Sequence, residues 1–210
     1  SGISYEITDQ QGKSQYSYGN TIVFVYNGYP TPYNVRQEIF LSFIVQEGEH
    51  IESGQWALTL IPRNIRNGEY QMWLPVSSGN NQETRFLEPD KEFTLTIPST
   101  AENVISAGAY DVRYQSYADF SGRGDQRYGV KKPDLVAPGV GILAAAPGGG
   151  ENSLSGTSMA TPFVTGSAAL LMEWGIIRKN DPYLYGERIK AYFHKGARKM
   201  NGFRDYPNNE

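Results

Sequence analysis

The sequence predicts two unlike folds in series: a β-sandwich or jelly roll over residues 1–98, then part of an α/β parallel-sheet domain over 99–210. Three observations carry this. In the first part, short runs alternate apolar and polar residues between Gly, Asn and Pro turn signals, the pattern of antiparallel strands. After Pro98 the apolar runs are built from small residues, as in "ENVISAGAYD" (102–111) and "DLVAPGVGILAAAPGG" (134–149), and read as buried strands. The stretch "TSMATPFVTGSAALLMEWG" (157–175) then has helical periodicity, and buried strands leading to a buried helix make an α/β layer.

Taken in order, the expected strands of the first part are "NTIVFVYNG" (20–28), "EIFLSFIVQEG" (38–48), "GQWALTLIP" (54–62), "GEYQMWLPV" (68–76) and "KEFTLTIPS" (91–99). Trp56, Leu58 and Leu60 would share one face, as would Phe93, Leu95 and Ile97. Between the first two lies "YNGYPTPYN" (26–34), a Pro-rich loop. In the second part a helix is expected from about Ser158 to Trp174, and "GERIKAYFHKGARKM" (186–200) reads as an amphipathic helix with a basic polar face. No apolar run reaches the roughly 18 residues of a membrane span, and no internal repeat is evident.

Composition narrows the chemistry. A net charge of −3 over 210 residues gives no basic surplus to neutralise phosphates, which argues against nucleic-acid binding. The absence of cysteine excludes disulfides, thiol catalysis and cysteine-based zinc sites. "SGISYEITDQQG" has neither a starting methionine nor a signal-peptide pattern, and reads as the start of a fragment or a mature chain.

The stretch with most chemical content is "SGTSMATP" (155–162). Ser158 stands at the start of the expected helix, where the positive end of the helix dipole and free backbone N–H groups stabilise a developing oxyanion. Pro162 is tolerable only near a helix start. Gly-Thr-Ser before an alanine-rich helix is equally an ordinary N-cap. On these residues alone, cap and nucleophile both stand.

The longer string "LSGTSMATPFVTGSAALL" (154–171) closely resembles the serine motif of the subtilisin-like serine proteases, the subtilases of peptidase family S8. "KPDLVAPGVGILAA" (132–145) is similar to the strand and turn before that motif, and "NVISAGAYDVRYQSYADFSGRG" (103–124) to a segment further upstream, in the family's order. A strand-rich stretch before them, and the ending "NDPYLYGERIKAYFHKGARKM" (180–200), look most like the Csp-type subtilases of spore-forming anaerobes, in which a jelly roll interrupts the protease domain.

The resemblance implies a serine endopeptidase acting on peptide or protein substrates without a cofactor, and a bacterial, secreted or spore-associated setting. It carries Ser158 over as nucleophile, with its own backbone N–H as one oxyanion donor, and Thr157 as a residue that helps position the site. Phe163 stands where many subtilases have a non-catalytic histidine. The family's catalytic aspartate, its histidine base and its oxyanion asparagine all precede the matched segments, and nothing upstream in this chain fits them. His50, in "EGEHIES", and His194, in "AYFHKGA", read as structural or surface residues. The chain is therefore expected to be the C-terminal part of a longer protease, inactive alone. It should associate with the N-terminal part or with itself through apolar surface left on the helix and sheet edge.

Competing readings attach to specific residues. Arg123-Gly124-Asp125 spells an adhesion tripeptide, which requires a protruding loop. Tyr26, Tyr29, Tyr33, Trp56 and Trp73 could form an aromatic platform for sugars, making the chain a binding fragment or pseudoprotease; coplanar exposed rings would favour this. Asp134 stands where some subtilases bind a weak cation, but Lys132 beside it opposes one, so no metal site is expected.

Overall fold

In the computed structural model, the first two expected strands form and a third, unexpected one precedes them. The structure describes residues 4–8, 12–32, 35–48, 50–62, 64, 68–75, 83–125 and 129–200. Strands β1 (Gly12–Tyr18), β2 (Thr21–Gly28) and β3 (Glu38–Val45) make an antiparallel meander in that order. β1 escapes a sequence reading because "GKSQYSY" is a mostly polar, exposed edge strand. Its register sets Tyr16 opposite Val23, and Val23 opposite Phe43, on one face. Trp56 stands edge-on over that face, 4.9 Å from the Phe43 ring and 5.9 Å from that of Tyr18. The opposite face carries Phe24, Tyr26, Phe40 and Ile44, all exposed.

The remaining expected strands of this part are corrected. Residues 54–62, 68–75 and 91–99 form no strand, so the described residues make one three-stranded sheet where a sandwich or jelly roll is expected. Alternation specifies a strand only when a neighbouring edge pairs with it. Segment 91–99 instead makes turn bonds and crossings outside any ladder: the Thr94 hydroxyl donates to the Lys91 carbonyl, Ser99 N–H to Thr96 and Ala101 N–H to Pro98, while Thr94 N–H donates to the Arg123 carbonyl. Phe93 adds a left-handed φ of 56°, incompatible with a ladder. The chain divides into two compact units, Ser1–Glu69 and Tyr70–Glu210.

The second unit is the α/β layer. β4 (Ala107–Asp111) lies between β5 (Ser116–Tyr117), antiparallel to it, and β6 (Leu135–Pro138), parallel to it. Ala109 faces Ala137 in this register. Across these strands packs α1 (Thr157–Met172), through Ala160 and Val164. The buried core is Ala109, Ala118, Ala137, Ala160 and Val164, edged by Ile105, Leu135, Val140 and Phe193. Alanine at the contact lets helix and sheet approach closely, which the small-residue strands of the sequence anticipate. Burying Val164 contributes on the order of 1.5 kcal/mol.

Between β6 and α1 runs the hairpin β7 (Ile142–Ala145) and β8 (Glu151–Leu154), closed by Gly148, Gly149 and Gly150, all at positive φ. After α1 a π-helical turn (Glu173–Ile177) leads to α2 (Gly186–Gly196). α1 buries only Ala160 and Val164, and Phe163, Leu170 and Met172 stay exposed. With the π turn it runs 21 residues, Thr157–Ile177, long and apolar enough to cross a membrane. That corrects the expectation that no such run exists. Interspersed Thr, Ser and Gly hide the length in the sequence, and the core helix of a globular α/β domain has the same character.

Candidate active site

Ser158 lies in the first turn of α1 and is exposed. The helix is capped by Gly156 with no side-chain cap bond. The N-cap reading of the Gly-Thr-Ser string therefore fails in its side-chain sense: no hydroxyl there caps the helix. Met159 and Ala160 N–H donate to the Gly156 carbonyl at 3.0 and 3.4 Å. The N–H groups of Thr157 and Ser158 precede the first intrahelical bonds and are open to an outside acceptor. Pro162 comes four residues after Ser158, so the Ser158 carbonyl cannot receive the usual i+4 donor. The nucleophile candidate thus sits where backbone donors face outward and the helix is locally loosened.

Thr157, half-buried, accepts at its carbonyl from the Thr161 hydroxyl at 2.9 Å. The entry to the helix is fixed from β6 onward. Gly139 N–H donates to the Tyr110 carbonyl at 3.1 Å, and the Gly139 carbonyl accepts from Gly156 N–H at 2.8 Å. Gly141 N–H donates to the Ser155 hydroxyl at 2.9 Å. Sequence reading passes over Ser155 and these glycines. The one available signal is a hydroxyl residue directly before the helix-capping glycine.

Among the described residues, no side chain hydrogen-bonds Ser158. His50 is exposed, and its carbonyl accepts from the Asn20 side chain. His194, on α2, faces Asp134, with Nε2 3.7 Å from Oδ1. The buried Asp134 carboxylate instead organises cations: Lys190 Nζ lies 2.8 Å from Oδ1 and Lys132 Nζ 3.5 Å from Oδ2, while Ser106 N–H donates to Oδ2 at 2.7 Å. Both lysines also donate to the Val104 carbonyl. An ordinary cation site needs free carboxylate oxygens, and both oxygens here already face ammonium groups. A second buried carboxylate, Asp181, holds Arg188 at 2.9 Å and accepts from the Tyr192 hydroxyl at 3.2 Å.

Among the described residues, the competing sites do not assemble. Gly124 and Asp125 are buried, Asp125 at 2% exposure, and Arg123 stacks 4.7 Å over the Tyr117 ring. Gly124 N–H donates to the Lys132 carbonyl, so the tripeptide is no loop tip. Burial pushes the Tyr117 phenol above its ordinary pKa, and its hydroxyl donates to the Gly122 carbonyl. Trp56 is edge-on to its ring neighbours and lies on the sheet face opposite Tyr26. The Trp73 indole N–H donates to the Phe93 carbonyl at 2.8 Å. Tyr29 is exposed, and Tyr33 lies outside the described residues.

Comparison with known proteins identifies the family of the chain. The profile described as the subtilase family, peptidase S8, matches residues 17–204. Serine protease AprX of Bacillus subtilis is 33% identical over 144 residues, covering 59% of this chain and 30% of that protein. Subtilisin-like protease 1 of Trichophyton equinum is 42% identical over 106 residues, 50% of this chain and 18% of that protein. The solved structure of the Clostridium perfringens CspB protease matches with a TM-score of 0.74 at 40% identity, over 95% of this chain and 42% of that one. The chain thus spans less than half the length of each of these relatives. With the profile matched along most of its residues and the fold shared with a solved member, the chain belongs to the subtilase family.

Proposed function

We propose that this chain is the C-terminal portion of a subtilisin-like serine endopeptidase in which Ser158 is the nucleophile. The observation that carries this is an exposed serine in the first turn of α1, which no side chain caps, beside backbone N–H groups with no helical acceptor. In the complete protease, Ser158 Oγ attacks the scissile carbonyl and its proton passes to a histidine supplied from upstream, held by an upstream aspartate. The Ser158 N–H binds the oxyanion, and Thr157 holds the backbone that presents it. The intermediate then expels the amine, which takes the proton from the histidine, and water releases the acyl group.

Without base and orienting carboxylate the chain alone is inactive. Its partner is the N-terminal part of the same protease. The exposed Phe163, Leu170 and Met172 on α1 support that reading, since they form apolar surface on a helix whose buried side is already filled. Residues 1–98 act as a β-rich insertion into the protease. The alternation of their sequence and the antiparallel β1–β3 meander support this.

The test is a fluorophosphonate probe on the complete protein. The wild type is expected to label, and Ser158→Ala to lose all labelling while its melting temperature stays within a few degrees. An unlabelled wild type would favour a pseudoprotease used for binding.

A further inference from the structure

We propose that Ser155 is a positioning residue for Ser158, acting through the backbone of residues 139–141; the inference rests on Ser158 being the nucleophile. α1 has no side-chain cap, so its own first turn does not fix where the chain enters the helix. Two hydrogen bonds to one short loop do. Gly156 N–H donates to the Gly139 carbonyl at 2.8 Å, and the Ser155 hydroxyl accepts from Gly141 N–H at 2.9 Å. Consecutive residues thus donate and accept across the same gap, which resists both sliding and rotation of the segment before Ser158.

The loop is itself anchored to the domain. Gly139 N–H bonds the Tyr110 carbonyl of β4, and Val140 packs against the alanine core. Gly141 has φ of 63°, a left-handed conformation that other residues adopt reluctantly. Ser155 is exposed. Its loss would leave the Gly141 N–H to water instead of burying an unpaired donor, so the fold should survive while the entry to α1 loosens. Catalysis is far more sensitive to such loosening than stability is, since a displacement of about 1 Å costs on the order of a hundredfold in rate.

The experiment uses the full-length protease with three variants: Ser155→Ala, Ser155→Thr and Ser158→Ala. Ser155→Ala is expected to lower kcat about tenfold with KM unchanged, as for an interaction expressed in the transition state. Fluorophosphonate labelling should slow in parallel while the melting temperature is kept. Ser155→Thr, which keeps the hydroxyl, should restore most of kcat. Wild-type kcat in Ser155→Ala, or a loss that Ser155→Thr does not relieve, overturns the proposal while leaving the protease reading intact. Should Ser155→Ala melt below assay temperature, Ser155→Cys, a weak acceptor, is scored the same way. A wild type that does not label at Ser158 overturns both readings.

Discussion

An added Cβ at Gly139 would lie 2.5 Å from the Ala109 Cβ and 3.0 Å from the Gly156 carbonyl oxygen. The first contact is core and the second is the helix cap, so neither neighbour can yield without moving the strand or the start of α1. Gly139→Ala is expected to destabilise the domain by about 1–3 kcal/mol, as overpacking does, and denaturant unfolding of the complete protease would measure it. At this scale the sequence is uneven. Ser158 stands out in the sequence because its neighbours form a long string that resembles a family motif. Ser155 is not, because its partner is a backbone N–H fourteen residues earlier, and backbone partners leave no residue-type trace. The tripeptide Arg123-Gly124-Asp125 shows the converse: three residues suggest a signal that the Tyr117 stack and the burial of Asp125 contradict.

Helix α2 shows what periodicity conveys about an element and what it omits. The expected helix over 186–200 is found over Gly186–Gly196, after which Ala197 is extended. Its one buried residue is Ile189, so apolar burial alone anchors it weakly. The pairs Lys190–Asp134 and Arg188–Asp181 do much of that work, and the residues behind a "basic face" are partly inward-facing. Asp134→Asn would leave Lys132 and Lys190 without their counter-ion. Breaking a buried pair from one side costs about 3–5 kcal/mol, so a loss of ~3 kcal/mol is expected. Hydrogen exchange should show α2 amides losing protection before those of α1. For the strands, alternation found β2 and β3 but overcalled 54–62, 68–75 and 91–99. Period-two patterning records which side chains could share a face, whereas pairing depends on a partner edge that sequence alone does not supply.

For the whole chain, the two compact units, Ser1–Glu69 and Tyr70–Glu210, divide earlier than the change of texture near residue 98. Texture follows side-chain type, while compactness follows contacts such as Thr94 N–H to the Arg123 carbonyl, which tie residues before Pro98 to the α/β unit. The exposed apolar residues of α1 make a prediction for the isolated chain. It is expected to elute from size-exclusion chromatography as self-associated species, and to shift to a one-to-one complex when the N-terminal part is added. A stable monomer indifferent to that addition would count against the association.

The carboxylate-centred attachment of α2 also bears on temperature. Hydrophobic attachment levels off on heating, whereas the cost of stripping water from charged groups falls as temperature rises. Because Asp134 and Asp181 hold this helix through ammonium and guanidinium groups, its grip weakens less on warming than that of a helix docked by leucines.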